Sequence, residues 1–168
     1  MLIVSSLEGA KTAFTRYRPA CVISLLSEDE PVPVFIDLDP RKHFKFYVER
    51  ESSAATISAA AKERAHDIIA FVRDWDRVGD VLIHCNRGVS RSTAAAYVIL
   101  CMTAPGVDEQ LIAEALRRAA PFADPCPILI SYTDDILGRG GRMIEAIEAL
   151  PPPRPAISAP IVTLPLAA

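Results

Sequence analysis

The stretch VLIHCNRGVSRST, residues 81–93, constrains the fold more than any other part of the chain. The unbroken apolar run at 80–84 predicts a strand buried on both faces, and the alanine-rich segment after Arg91 predicts a helix buried nearly all round. Only five residues separate Cys85, at the end of the strand, from Arg91, at the start of the helix. The backbone between them must turn sharply, and Gly88 permits the angles that such a turn requires.

A short loop that leads into a helix directs several backbone N–H groups toward one point, which favours a bound anion. Arg91 adds a planar, permanently charged group that can bind two oxygens of a phosphate. The same positive field favours the thiolate form of Cys85. Ser92 is placed to hydrogen-bond that thiolate when an intermediate breaks down. These residues together predict a sulfur nucleophile beneath a bound tetrahedral oxyanion.

The segment HCNRGVSRS resembles the signature of cysteine-dependent protein tyrosine and dual-specificity phosphatases, which is His, Cys, five residues with a central Gly, Arg, then Ser or Thr. The resemblance implies that Cys85 attacks phosphorus to give a phosphocysteine that water hydrolyses, and that Arg91 binds the phosphoryl group. It also implies that Ser92 assists the leaving thiolate and that His84 tunes Cys85. The backbone donors of the phosphate-binding loop would be those of Asn86, Arg87, Gly88, Val89 and Ser90.

The resemblance covers the chain from about residue 2 to residue 150, because the order of strand, loop and helices is that of the compact dual-specificity type. The same span is also similar to little-characterised bacterial tyrosine phosphatases, including LGRGGRMIEAI near its end. We therefore predict a phosphomonoester hydrolase of the tyrosine or dual-specificity type. Its substrate would be a phosphorylated protein or peptide, with phosphoserine, phosphothreonine or a phospholipid as alternatives, and free phosphate or sulfate would occupy the same loop.

The chain does not have the general acid of the family at the position where the family places it. The family places an aspartate in the loop before the helix that precedes the signature strand, and this chain has no aspartate there. The corresponding segment, FKFYVERESSAA, offers Glu49 as the first candidate and Glu51 as the second. Both are equally well explained as solvated loop charges. A second departure is Cys126 after Pro125, where the family usually has asparagine. Both departures concern activity rather than phosphate binding.

Two other functions compete with the enzyme. A pseudophosphatase module would keep Cys85 and Arg91 to bind phosphate but would have weak or no activity. A rhodanese-like sulfur transferase also has a loop cysteine, but its loop is usually shorter and lacks the His-Cys and Arg-Ser frame. Arg87 adds positive charge beside a bound anion or, as the commoner alternative, points outward into solvent.

The remaining pattern predicts an α/β fold in which helices flank a central, mostly parallel sheet, with Cys85 at the carboxyl end of a strand, where ligands bind in such sheets. Predicted strands are 2–6, 20–26, 43–49 and 80–84, with a possible one at 32–39. A helix capped by Ser58 would run to about residue 75 before Gly79. Further helices are expected after Arg91, at about 107–120 and at about 128–150, with a possible break at 138–141.

Residues 1–150 would form the phosphatase-like domain and 151–168 a proline-rich tail, without regular structure or packed extended on the surface.

Composition and charge limit the class of protein and the partners that the sequence allows. The 168 residues are 51% hydrophobic and carry a net charge of −3, which indicates one globular domain with no general attraction to nucleic acid or an anionic membrane. No apolar run approaches the roughly 18 residues of a membrane helix. The four cysteines match neither a zinc site nor a disulfide framework, and Cys21 and Cys101 lie in apolar, core-like segments. We predict a cytoplasmic, reduced monomer without metal or cofactor.

Overall fold

The computed structural model of the chain describes residues 1–47 and 54–166. Its elements in chain order are Leu2–Ser6 (β1), Leu7–Tyr17 (α1), Cys21–Leu26 (β2), His43–Tyr47 (β3), Ala54–Asp74 (α2), Val81–Cys85 (β4), Arg91–Thr103 (α3), Glu109–Ala119 (α4), Pro127–Leu137 (α5), Arg142–Glu148 (α6) and Val162–Leu164 (β5). A short 3₁₀ turn, Pro40–Lys42, precedes β3. None of the helices in the described part of the chain is long and apolar enough to span a bilayer.

The five strands form one sheet in the order β3-β2-β4-β1-β5. The first four are parallel to their neighbours, and β5 is antiparallel to β1. Every residue of β1, β2 and β4 is buried, because helices cover both faces of a parallel sheet. The predicted α/β class, the mostly parallel sheet and the central position of the signature strand are therefore confirmed.

Helix α1 was not predicted, because its sequence follows β1 without an interrupting turn. Ser6 ends the strand and caps the helix, and its Oγ accepts a hydrogen bond from Gly9 N at 3.2 Å. Arg18 ends the helix in a left-handed conformation with φ 48°. A serine between an apolar strand and a helix-compatible run is the signal that would have revealed this element.

Two local predictions were wrong. Residues 32–39 form no strand, because Pro33 lacks the backbone N–H that a strand ladder needs and the chain turns at 36–37, where Asp37 adopts a positive φ of 72°. Phe35 is buried, whereas Val34 is 75% exposed and Ile36 is 78% exposed. Ser58 does not cap α2, because that helix already begins at Ala54.

The predicted break in the last helix is confirmed. Helix α5 ends at Gly138, which adopts a positive φ of 63°, and α6 starts after Gly141, at φ 91°. The buried Asp134 carboxylate bridges the break, accepting hydrogen bonds from Gly141 N at 2.6 Å and Met143 N at 2.7 Å. Asp134 therefore satisfies backbone donors at the start of α6 that have no partner within the helix.

The arginines of the same segment join it to α4. Arg139 lies 2.8 Å and Arg142 3.2 Å from the buried carboxylate of Glu109. Burial opposes ionisation of Glu109, but hydrogen bonds, first that from Arg142, hold the pKa of its carboxyl below the usual range. The LGRGGRM motif is thus a structural junction of three helices.

The C-terminal segment does not lack regular structure throughout. Val162, Thr163 and Leu164 pair with β1, and the Leu164 side chain is buried. These residues lie extended against the protein, which is one of the two alternatives that the sequence left open for the tail, because the outer edge of β1 offers backbone groups that a short strand can satisfy. The boundary at residue 150 stays a prediction.

Candidate active site

Cys85 is the last residue of the central strand, and its buried side chain is enclosed by the loop that follows. Its Sγ lies 3.2 Å from Ser92 Oγ, on the first turn of α3, and 3.2 Å from the backbone N of Gly88. Parallel pairing sets Ser6, at the end of β1, in register with Cys85. The sulfur therefore lies at the carboxyl edge of the sheet, with a hydroxyl and an amide beside it.

Three carbonyl groups of the loop point away from Cys85, because each accepts a hydrogen bond from a different outer segment. These bonds run from Leu7 N to Asn86 O (3.0 Å), from Ala159 N to Arg87 O (2.8 Å) and from Asp124 N to Val89 O (2.9 Å). A peptide whose carbonyl points outward directs the N–H of the next residue inward. The outer contacts thus hold the loop in the concave form that favours an anion.

Gly88 is required by this geometry. Its φ is +73°, a conformation that other residues rarely adopt. A Cβ added there would lie 2.7 Å from the backbone atoms Ser5 C and Ser6 N. The predicted conformational role of Gly88 is therefore accompanied by a close approach to β1 that the sequence did not reveal.

Arg91 is held by a residue that the sequence analysis missed. Its Nη1 and Nη2 each lie 3.3 Å from a carboxylate oxygen of Glu30, and Nη1 is 3.5 Å from Ser27 Oγ. Three of the five N–H groups of the guanidinium are used in this way, which leaves two for an oxyanion. The available signal was the acidic SEDEP run directly after β2, because carboxyl ends of neighbouring parallel strands share one edge.

Glu30 is itself fixed by two other donors. Ser27 N donates to its Oε2 at 2.7 Å, and the side-chain amide of Asn86 donates to its Oε1. Burial opposes ionisation, but Ser27, Asn86 and Arg91 together hold the pKa of the Glu30 carboxyl below its usual range. Glu30 is therefore an ionised anchor that links β2, the loop and Arg91.

His84 is part of a buried cross-strand network. Its Nε2 lies 2.7 Å from Ser24 Oγ, which lies 2.8 Å from Nε2 of His43. Burial, followed by nearby positive charge, lowers the pKa of each histidine to about 4. Both rings are therefore neutral at pH 7, and one of them must carry its proton on Nε2 for the hydroxyl to serve both.

The other cysteines differ from Cys85 in their surroundings. Burial raises the pKa of Cys21, and it raises the pKa of Cys101 to about 12. Both thiols are thus kept protonated inside the core, as the apolar sequence around them predicted. Cys126 is half-buried and directly precedes α5.

Of the predicted site residues, Gly88 and Ser92 lie beside the Cys85 sulfur, and Arg91 begins α3 with its guanidinium bound to Glu30. Asn86 and Val89 hold the loop through their backbone carbonyls, and Ser90 directly precedes α3. Arg87 instead turns toward the C-terminal segment, donating to Ile157 O at 2.9 Å and Ala156 O at 2.6 Å. Glu49 and Glu51 lie outside the described residues.

The described part of the chain thus combines a strand that ends in Cys85, a compact loop and a helix that begins with Arg91. This combination can be compared with the folds of solved proteins. The chain has the fold of the dual-specificity phosphatases. The structure of DUSP15 is 19% identical, covers 89% of this chain and 92% of that chain, and gives a TM-score of 0.56. The Cydia pomonella PTP-2 phosphatase is 19% identical over 80% of this chain and 84% of its own, with a TM-score of 0.58.

Human DUSP28 is similar in the same way, at 21% identity over 83% of this chain and 95% of its own, with a TM-score of 0.56. No protein-family model matches the sequence, and no curated protein matches it. The predicted resemblance is confirmed as one of fold, while the likeness to bacterial tyrosine phosphatases stays a prediction.

Proposed function

We propose that the protein is a cysteine-dependent phosphomonoester hydrolase of the protein tyrosine or dual-specificity type. The observation that carries the proposal is the placement of Cys85 Sγ at 3.2 Å from both Ser92 Oγ and Gly88 N, with Arg91 on the first position of α3. The phosphatase fold of the solved neighbours supports the same function.

The reaction has two steps. The Cys85 thiolate attacks phosphorus, so that a P–S bond forms and the bond to the ester oxygen breaks, while that oxygen takes up a proton. Water then breaks the P–S bond, releasing phosphate and restoring the thiolate. Arg91 and the inward loop amides bind the charged oxygens in both steps, and Ser92 stabilises the departing sulfur.

The proton donor is not Glu30. Its carboxyl is kept ionised by the donors around it and faces Arg91, so it has no proton to give at neutral pH. The acid in this proposal is Glu49, with Glu51 as the alternative. A general acid typically contributes about 10²–10⁴-fold, so its identity decides how fast unactivated esters are cleaved.

Hydrolysis of p-nitrophenyl phosphate tests the nucleophile, because this leaving group needs little protonation. Cys85→Ser should abolish turnover, whereas the matched change Cys126→Ser should leave it intact. Activity that survives in Cys85→Ser would refute the mechanism.

A phosphotyrosine peptide tests the acid. Glu49→Gln should lower peptide hydrolysis by about 10²-fold while p-nitrophenyl phosphate is still cleaved. The same result with Glu51→Gln would assign the acid to Glu51. A protein that binds vanadate or the phosphopeptide but cleaves neither ester is the pseudophosphatase instead.

A further inference from the structure

The C-terminal segment 154–164, which we call the strap, lies against the phosphate-binding loop. The two exchange hydrogen bonds in both directions at one residue. The Arg87 guanidinium donates to the carbonyls of Ala156 and Ile157 at 2.6 and 2.9 Å, and Ala159 N donates to Arg87 O at 2.8 Å. Arg87 therefore joins the loop to the strap through its side chain and its backbone.

The strap is anchored on both sides of this contact. Arg154 N donates to Pro121 O at 2.9 Å, and Val162–Leu164 pair with β1. Because the strand and the Pro121 contact hold its ends, the strap offers the Ala156 and Ile157 carbonyls at a defined place. The strap thus offers Arg87 two acceptors on a segment that is held at both ends.

Packing reinforces the hydrogen bonds. Ala159 is 6% exposed, and its Cβ would lie only 2.8 Å from a Cβ added at Gly88. The strap therefore lies directly against Gly88, whose N–H reaches Cys85 Sγ. A displacement of the strap would leave Gly88 unsupported on that side.

The contact between the loop and the strap depends on an arginine, rather than a lysine, at position 87. The guanidinium is a planar group whose donors match two acceptors at once, whereas a lysine ammonium is a point charge on a flexible stem. Nε and Nη2 of Arg87 serve two successive carbonyls. A lysine at this position would keep the charge beside the loop but lose the paired contact.

We propose that Arg87 is a positioning residue, which sets the direction of the loop amides by fastening the loop to the strap. The expected effect of Arg87 on catalysis rests on the proposed phosphatase function. The expected effect of Arg87 on the order of the loop is independent of that function. The C-terminal segment is on this account a working part of the phosphate-binding site.

The test compares Arg87→Lys with Arg118→Lys in the full-length chain. Arg118 is a matched control because it lies on the outer face of α4, with its side chain 71% exposed. Two quantities are measured, namely amide hydrogen exchange of residues 86–90 in the free protein and inhibition by vanadate. Loss of the paired contact in Arg87→Lys should accelerate loop exchange severalfold and weaken vanadate about tenfold. Arg118→Lys should match the wild type in both.

The experiment distinguishes failure of the positioning role of Arg87 from failure of the proposed phosphatase function. If Arg87→Lys retains wild-type loop exchange, the positioning role is wrong, and Arg87 acts at most through its charge. If the wild type neither cleaves phosphoesters nor binds vanadate, the proposed function fails, and loop exchange alone still decides the role of Arg87. Arg87→Ala provides a second variant, and its loop exchange should be at least as fast as that of Arg87→Lys.

Discussion

The carboxylate of Glu30 lies 3.3 Å from both terminal nitrogens of Arg91, although the two residues are 61 positions apart in the chain. Glu30 follows β2, and Arg91 follows β4 after one short loop. These strands are neighbours in the sheet and run parallel, so their carboxyl ends meet at the same edge. The orientation of Arg91 is thus a consequence of strand order.

Glu30→Gln should weaken anion binding. The substitution removes the charge that holds Arg91, and hydrogen bonds to charged groups contribute about 1.5–3 kcal/mol. We expect vanadate to inhibit the variant about tenfold less tightly than the wild type. Glu28→Gln is the matched control, because Glu28 is exposed in the same acidic run. Equal inhibition of Glu30→Gln and wild type would show that Arg91 needs no such support.

Ser92→Ala should slow the second chemical step. The Ser92 hydroxyl lies 3.2 Å from the Cys85 sulfur and can stabilise it as it leaves phosphorus. Its loss should therefore reduce phosphocysteine hydrolysis by about 10- to 100-fold. Rapid mixing with p-nitrophenyl phosphate should then show a burst of p-nitrophenol followed by slow turnover. Thr103→Val, at the other end of α3, removes a buried hydroxyl that donates to Ile99 O and Leu100 O of the same helix. It should show no change in the ratio of burst to steady-state rate.

Gly88→Ala should destabilise the fold more than Gly140→Ala. Both glycines have a positive φ, of +73° and +64°, so both variants pay about 1–2 kcal/mol for the left-handed conformation. Only Gly88 is also in close contact with β1, whereas a Cβ at Gly140 meets nothing within 4 Å. Urea denaturation should therefore give a clearly lower free energy of unfolding for Gly88→Ala. Equal losses would contradict the close approach of the loop to β1.

Acid should destabilise the protein through the buried His84 and its half-buried partner His43. Burial lowers the pKa of His84 to about 4 from an ordinary value of 6.5, so the unfolded chain binds more protons between these values. The stabilisation is complete above pH 6.5 and is lost as the pH falls toward 4. For His84 the loss between pH 7 and pH 5 should be about 2 kcal/mol.

His43→Gln provides the check on this pH dependence. It removes the partner histidine of the network, so denaturation at pH 7 and pH 5 should differ less than in the wild type. His66→Gln, at an exposed position of α2, should leave the difference unchanged. If all three proteins lose the same stability, the acid effect arises elsewhere.

Much of the site could be predicted because its parts are adjacent in the chain. A strand, a turn with Gly88 and a helix that begins at Arg91 bring Cys85 and Ser92 together by local geometry alone. The same holds for the break between α5 and α6, where glycines oppose a continuous helix. Apolar runs likewise marked β1, β2 and β4, because strands buried on both faces have a distinctive composition.

The sequence alone thus determined the α/β class and the set of residues around Cys85. Only the tertiary structure decided that Glu30 holds Arg91, that His84 shares Ser24 with His43, and that Arg87 faces the strap. These partners come from separate elements, and local patterns of apolar and polar residues do not specify the order in which strands pair. The sheet order brings the carboxyl ends of β2 and β4 side by side, and the pairing of β5 with β1 places the strap against the loop.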